Sequence, residues 1–252
     1  MSRSLLKTEA IVLSEIRYKD TSKILNIYTK KYGRISVMAQ GAYKPKSILI
    51  ASTQSFSHSE LYFQKNGEYY YINQADLLDS YYDIRENMNR MFYGYYLLEL
   101  INKSTPLEEE NEKLFLLLQK GLKILSSLNK DYLRFILSYE LKFISFLGYR
   151  PNMSNCVICG SDENYNIRFS IIEGGVICNN CFEKDRRSIY LDNEMYKAFN
   201  SLLFTHLDKL EDLNISIDIV KDLHKIIVDY ILYNIDRSEF KSLDLLHSID
   251  DV

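Results

Sequence analysis

The chain has 252 residues, of which 46% are hydrophobic and 26% are charged, and its formal net charge is −3. This composition is typical of a globular protein with one or two domains, and it excludes a disordered or collagen-like chain. No run of about 18 apolar residues occurs, and the N-terminus leads into an alternating pattern, so we expect a cytoplasmic protein without a membrane span.

The first 80 residues carry the pattern of short β-strands, rich in β-branched and aromatic side chains. The segments with this pattern are residues 9–13, 23–29, 34–40, 60–63 and 69–72. Gly33, Gly41 and the dipeptide Asn66-Gly67 supply turn signals between them. About five short strands in so short a segment suit a small closed barrel. The leading prediction is an OB-fold barrel at residues 1–80, with an SH3-like barrel as the alternative.

After residue 80 the hydrophobic period becomes helical, with apolar residues recurring every three or four positions. The predicted helical segments cover residues 88–98, 114–125, 133–144, 192–209 and 216–235. Pro106 and the acidic residues 108–110 predict one helix start, Gly148 predicts a helix end, and Ser216 is a predicted N-cap. The expected class is therefore α+β, with a helical domain at residues 81–252 after the barrel.

The four cysteines form two Cys-x-x-Cys pairs with 18 residues between them. The pairs are Cys156 with Cys159 and Cys178 with Cys181. In such a pair both side chains converge on one metal, and spacers of ~15 to 20 residues are usual in four-thiolate zinc sites. Residues 164–170 and 174–177 read as a hairpin that brings the second pair beside the first. We predict an inserted zinc module at about residues 150–190. Its Zn²⁺ should be structural, because four thiolates leave no position for water.

Other interpretations of the cysteines are two disulfides, unrelated buried thiols or a redox site. A reducing compartment disfavours disulfides, and thioredoxin-like sites use one motif rather than two. His58-Ser59-Glu60 matches the His-x-Glu of zinc deaminases, but Asn155 stands where those enzymes have proline before the first cysteine. A zinc deaminase and a zinc-ribbon protein-interaction or transcription-associated module are the alternative functions.

Motifs of common enzyme classes are missing from the sequence. It contains no Gly-x-Gly, no Gly-Lys-[Ser/Thr], no His-Glu-x-x-His and no Gly-x-Ser-x-Gly. Dinucleotide binding, phosphate-loop chemistry, zinc proteolysis and serine hydrolysis therefore have no support. We predict that the protein is not an enzyme.

The small net charge conceals a gradient along the chain. The first 50 residues hold 10 basic side chains and three acidic ones, whereas residues 191–252 carry a net charge of −7. Phosphate attraction depends on the local patch rather than on the global sum. A polyanion would therefore meet the N-terminal end first.

Two predicted loops of the barrel combine cations with aromatic rings. The candidate DNA contacts there are Lys30, Lys31, Arg34, Tyr43, Lys44 and Lys46. A single strand of nucleic acid suits this combination, because cations follow its phosphates and rings stack on its bases. The tyrosines at 69–71 are interpreted instead as packing within the barrel.

Several segments, taken in order, resemble the RecO family of bacterial DNA repair proteins. They are Glu9–Leu13, Tyr32–Ala42, Lys44–Ser47, Leu147–Pro151, Cys156–Gly160, Gly174–Cys181 and Phe240–Asp244. The resemblance runs along nearly the whole chain, and it rests on the order and spacing of these segments. It implies an OB barrel, a helical C-terminal domain with an inserted zinc module, and no catalytic site.

The resemblance also implies a function. RecO-like proteins bind single- and double-stranded DNA, anneal complementary strands and associate with RecR. They help the RecA recombinase replace single-strand-binding protein, whose acidic tail they contact. Arg34, Lys44 and Lys46 match the family's basic barrel positions, and the four cysteines match its zinc positions in members that keep them. Such a protein would be cytoplasmic and associated with the nucleoid.

Overall fold

The computed structural model describes residues 5–162 and 166–243. Part of the predicted spacer hairpin, at Asn164 and Tyr165, and the last residue of the C-terminal motif, Asp244, lie outside the described residues. No helix in the described part of the chain is long and apolar enough to cross a membrane.

The described chain forms two compact units. The first runs to Leu128 and also includes the segment that begins at Phe240, and the second covers residues between Asn129 and Glu239. The barrel ends at Asp79, and the helices up to Leu128 pack with it in one unit. The division into domains at residues 1–80 and 81–252 stays a prediction.

Five strands close into a barrel in the first unit. They are β1 (Leu5–Tyr18), β2 (Ser22–Thr29), β3 (Gly33–Ala39), β4 (His58–Asn66) and β5 (Tyr69–Asp79). Around the barrel their order is β1-β2-β3-β5-β4, with β3 parallel to β5 and the other neighbours antiparallel. This OB-like barrel confirms the predicted fold.

The barrel core follows from the period-two alternation of the sequence. Inward side chains on three strands, Leu25, Ile27, Val37 and Phe63 among them, are at most 1% exposed. The ring of Tyr70 meets Phe63 edge-on with centroids 5.6 Å apart. Burying one such side chain stabilises the fold by about 1.5–3 kcal/mol, so the alternation fixes which faces of the strands point outward.

Three helices complete the first unit. They are α1 (Tyr82–Glu86), α2 (Met88–Ser104) and α3 (Glu112–Ser127). The side chains of Asn87 and Asn111 cap α2 and α3, accepting hydrogen bonds from the first-turn N–H groups of Arg90 and Leu114 at 3.0 and 3.1 Å.

The start of α3 differs from its predicted position at the acidic residues 108–110. Glu108 has a φ of 57°, and its N–H donates to the carbonyl oxygen of Arg34 on β3 at 2.9 Å. Because this backbone is bound to the barrel, the helix begins only at Glu112.

The second unit combines helices with a small sheet. Its elements are α4 (Tyr132–Phe146), β6 (Arg168–Ser170), β7 (Gly175–Ile177), β8 (Ile189–Tyr190), α5 (Asn193–Phe204) and α6 (Ile217–Asn234). Gly148, with a φ of 100°, follows the end of α4, and the side chain of Ser216 accepts from the N–H of Ile219 at the start of α6. Both boundary predictions are confirmed.

Candidate metal centre and nucleic-acid interface

The four cysteine side chains meet in one cluster of the second unit. Their sulfur atoms all lie within 4.8 Å of one another, and the Sγ atoms of Cys159 and Cys178 are 3.7 Å apart. All four thiols are free of disulfides. Sulfurs that share one tetrahedral zinc lie ~3.8 Å apart, since each Zn–S bond is ~2.3 Å. The cluster therefore fits a single metal ion.

Backbone turns shape each cysteine pair. The N–H of Gly160 donates to the carbonyl oxygen of Cys156 at 2.8 Å, and the N–H of Cys181 donates to that of Cys178 at 3.0 Å. These turns fold the two side chains of each pair toward the same point. They account for the short spacing within each Cys-x-x-Cys motif.

The hairpin of β6 and β7 brings the two pairs together, as predicted for its described residues. The N–H of Val157 donates to the carbonyl oxygen of Val176 on β7 at 2.9 Å. A Cβ atom at Gly175 would lie 2.5 Å from the carbonyl oxygen of Asn152, so only glycine allows this close approach. The first pair thus lies beside the strand that leads directly into Cys178.

The environment shifts the pKa values of three of the thiols in different directions. Burial acts to raise the pKa of Cys156, but the N–H groups of Cys178, Cys159 and Ile158 outweigh it and lower that pKa to about 6. Burial and the neighbouring thiols raise the pKa of Cys181 to about 12, and they raise that of Cys178 as well. A bound cation would override these differences, because the thiols that ligate it lose their protons.

His58 belongs to the barrel. Its Nε2 lies 3.1 Å from a carboxylate oxygen of Glu9, and burial lowers its pKa. Among the described residues, the group that could hold a metal consists of the four cysteines. His58 therefore serves barrel packing, and the described residues place no cysteine or other metal ligand set of the deaminase kind beside it.

The candidate cations at 30–34 lie at the turn between β2 and β3. Lys30 pairs with Glu9 at 3.2 Å and with Glu112 at 3.6 Å. The guanidinium of Arg34 donates to the carbonyl oxygen of Thr105. Both side chains are thus engaged within the protein. Lys31 is exposed at the same turn.

The other three candidates lie in the loop that follows β3. Lys44 and Lys46 are exposed, and two cations contact the ring of Tyr43. The guanidinium of Arg17 lies 5.5 Å from that ring centroid, and Nζ of Lys23 lies 4.7 Å from it. The N–H of Tyr43 also donates to the turn between β1 and β2.

The six candidates therefore form two groups at opposite ends of the barrel. β2 has eight residues, and at ~3.3 Å per residue it separates its two ends by roughly 25 Å. One group surrounds the β2–β3 turn, and the other lies where β2 begins and β3 ends. The structure does not bring all six together.

Sequence reasoning missed two cations in the second group. Arg17 and Lys19 flank Tyr18 at the β1–β2 turn, and both are exposed. Nζ of Lys19 lies 5.2 Å from the ring centroid of Tyr18. The available signal was the run Arg17-Tyr18-Lys19 next to a turn, which repeats the mixture of cations and a ring seen at Lys44.

An aromatic groove lies on the outer face of β2, β3 and β5, beside this second group. Its volume is about 330 Å³. The lining residues are Tyr18, Ile24, Ser36, Val37, Met38, Tyr69, Tyr70 and Tyr71. Tyr69 is 63% exposed, so the interpretation of residues 69–71 as barrel packing is wrong for Tyr69. Tyr70 and Tyr71 are half-buried and line the groove as well.

The chain combines an OB-like barrel with helices and a four-cysteine cluster, and family comparison identifies the class of protein that has this combination. The family model described as "Recombination protein O N terminal" matches residues 1–81. The family model described as "Recombination protein O C terminal" matches residues 85–244. The chain belongs to the recombination protein O family.

Curated relatives carry a more specific name. The chain is 34% identical to the DNA repair protein RecO of Alkaliphilus metalliredigens, across 97% of this chain and 100% of that protein. It is 35% identical to the DNA repair protein RecO of a Thermoanaerobacter species, covering 98% and 99%. The DNA repair protein RecO of Listeria monocytogenes is 31% identical over 89% of this chain and 87% of that protein.

Proposed function

We propose that the chain is a non-catalytic recombination mediator that binds single- and double-stranded DNA and promotes annealing of complementary strands. With RecR it would help load the RecA recombinase onto DNA coated with single-strand-binding protein. Membership of the recombination protein O family supports this role. The observation that carries it is the aromatic groove with cations beside it.

The groove occupies the face on which OB folds bind oligonucleotides, around strands 2 and 3. Its apolar walls, with Met38 and Ile24 between tyrosines, offer flat surfaces to bases. Base stacking on aromatic rings is sequence-tolerant because every base has a π-face. A mediator that must act on any damaged sequence requires this tolerance.

Cations beside the groove would hold the phosphates. Lys44 and Lys46 of the second group are exposed. Nζ of Lys19 contacts the ring of Tyr18, which lines the groove. Among the six predicted contacts we assign DNA binding beside the groove to Tyr43, Lys44 and Lys46, and a separate phosphate contact at the opposite end of the barrel to Lys31. Lys30 and Arg34, which are engaged within the protein, we assign a supporting role.

Annealing by such a surface needs no bond chemistry. Cations that hold one strand loosely lower the phosphate repulsion that a second strand meets, and base pairing supplies the driving force. Counterion release then makes binding strongly dependent on salt. Exposed lysines suit this role, because their ion pairs with phosphates are weak and a strand can leave them again.

For the metal we propose a structural Zn²⁺ held by Cys156, Cys159, Cys178 and Cys181. Zinc accepts four thiolates in a tetrahedral set without redox chemistry. When bound it would fix the two cysteine turns against β7. No position remains for a water ligand, which supports a role in folding rather than in catalysis.

The proposed partners are DNA, RecR and the acidic tail of single-strand-binding protein, in the cytoplasm and at the nucleoid. The test is annealing of complementary strands precoated with single-strand-binding protein, with and without RecR, on protein whose zinc content is measured. We expect accelerated annealing and about one zinc per chain. Annealing no faster than in buffer, with folded and metal-loaded protein, would overturn the proposal.

A further inference from the structure

The loop between β3 and β4 exposes an isoleucine. The side chain of Ile48 is 84% exposed, the highest value among large hydrophobic side chains in the described residues. Ile50, two positions later, is also exposed. Single exposed apolar residues are common on surfaces, so the surroundings of Ile48 decide whether it has a role.

Buried anchor residues and backbone hydrogen bonds give the loop around Ile48 a defined structure. Ala42 and Leu49 are buried in the barrel core at its two ends. Between them the N–H of Lys44 donates to the carbonyl oxygen of Gly41 at 3.0 Å, and the N–H of Ser47 donates to that of Lys44 at 2.9 Å. Because its neighbour Leu49 is anchored, Ile48 is held outward in a fixed place.

The loop that carries this apolar side chain is also positively charged. Lys44 and Lys46 precede it in the loop, and Arg17 reaches the same loop through the ring of Tyr43. Lysine is depleted at protein–protein interfaces, so a protein partner suits this lysine-rich loop less well than nucleic acid does. Nucleic acid suits it well, since phosphates pair with the cations while an apolar wedge enters between stacked bases.

We propose that Ile48 is a wedge that inserts between adjacent bases where a single strand joins a duplex. Lys44 and Lys46 would hold the phosphates on either side of the opened step. The proposal rests on the proposed function, and it adds a substrate class to the same site. The groove takes the single strand, and the loop takes the junction that forms when annealing begins.

The wedge has a consequence for annealing. Isoleucine is among the side chains that partly unstack a base step and kink the duplex. A junction held open in this way keeps the next bases available for pairing, so annealing can proceed from that point. Removing the wedge should leave single-strand binding intact and weaken recognition of the junction.

The experiment uses the full chain and a forked duplex that carries 2-aminopurine at the junction. Binding of the wild-type protein should raise the 2-aminopurine fluorescence roughly twofold, as the base leaves the stack. Ile48→Leu should preserve the rise, and Ile48→Ser should abolish it. Ile48→Ser should also bind an oligothymidylate strand with unchanged affinity and salt dependence. Ile217→Ser, at another exposed isoleucine, the first residue of α6, is the control.

The outcomes separate the wedge from the function on which it rests. A fluorescence rise that Ile48→Ser retains in full would overturn the wedge and leave DNA binding in place. Binding to oligothymidylate without any fluorescence rise in the wild type would do the same. Failure of the wild-type protein to bind any DNA would overturn the proposed function itself. Loss of RecR binding by Ile48→Ser, with its DNA signals intact, would assign the side chain to a protein interface.

Discussion

Arg34 donates two hydrogen bonds, from Nε and Nη2, to the carbonyl oxygen of Thr105 at 3.0 and 2.8 Å. Thr105 directly follows the last residue of α2, where carbonyl oxygens lack helical partners and the helix dipole attracts cations. The guanidinium therefore fastens β3 of the barrel to the end of α2. Arg34, which the sequence predicts as a DNA contact, therefore binds a backbone group of the protein itself, 71 positions away in the chain.

Replacing Arg34 by alanine should destabilise the first unit and leave DNA binding nearly unchanged. Hydrogen bonds to charged groups contribute about 1.5–3 kcal/mol, so we expect a loss of that order in the free energy of unfolding. Arg34→Lys should recover only part of it, since lysine lacks the planar fork. Urea unfolding followed by circular dichroism measures the loss. Unchanged stability together with a weaker salt dependence of DNA binding would return Arg34 to the DNA-contact set.

Reversing the charges of Lys44 and Lys46 should weaken DNA binding and leave stability unchanged. Each phosphate contact adds about −0.7 to the slope of log affinity against log salt for a single strand. The double variant Lys44→Glu with Lys46→Glu should therefore flatten that slope by about 1.4, with the free energy of unfolding unchanged. Filter binding at several salt concentrations gives the slope.

The matched control for that variant is Lys113→Glu with Lys123→Glu, which makes the same change in net charge at exposed positions of α3. If this control flattens the slope equally, the effect comes from net charge and the loop carries no phosphate contact.

How far the sequence predicts this molecule depends on the range of the interactions involved. Strand alternation and the Cys-x-x-Cys spacing are local, and they led to the barrel and to the cysteine cluster. The partner of Arg34 is distant in sequence, so its structural role could not be read locally. The separation of Lys31 from Lys44 follows from which end of each strand a loop occupies, and that requires strand order. Tyr69 was misread because aromatic content alone does not tell an outer face from a core.

Removing one wall of the groove should weaken single-strand binding. Tyr69 is largely exposed, so Tyr69→Ala should fold normally. Stacking contributes about 1–3 kcal/mol per base, which predicts a roughly 5-fold to 150-fold rise in Kd for an oligothymidylate. Fluorescence anisotropy measures the Kd. Tyr82→Ala, at an equally exposed tyrosine on α1, should bind as the wild type does. Equal Kd values for Tyr69→Ala and the wild type would remove the groove from the binding site.

Loss of one cysteine should release the metal and loosen the second unit. Cys181→Ser leaves three thiol ligands, and zinc-finger peptides gain about 10 kcal/mol or more of apparent folding free energy from their metal. We expect less than stoichiometric zinc by elemental analysis, and faster amide hydrogen exchange at residues 152–162 and 166–181 than in the wild type. Chelation of the wild-type protein should produce the same exchange pattern. Wild-type exchange rates in fully metal-free protein would show that the cysteine module folds without zinc.

Lys142 should make stability depend on pH in the alkaline range. Its Nζ donates to the carbonyl oxygens of Leu202 and Leu203 at the end of α5, at 2.6 and 3.3 Å, and burial lowers its pKa from 10.5 to about 8. Between these two values the folded chain holds fewer protons than the unfolded chain, so stability rises with pH across that window. Relative to Lys142→Met, the wild type should gain about 1–3 kcal/mol from pH ~8 to pH ~10.5, after allowance for partial solvent screening. Urea unfolding at a series of pH values measures the difference, with Lys221→Met at an exposed site of α6 as control. A difference between wild type and Lys142→Met that stays constant over this range would mean that the ammonium keeps its ordinary pKa against the helix end.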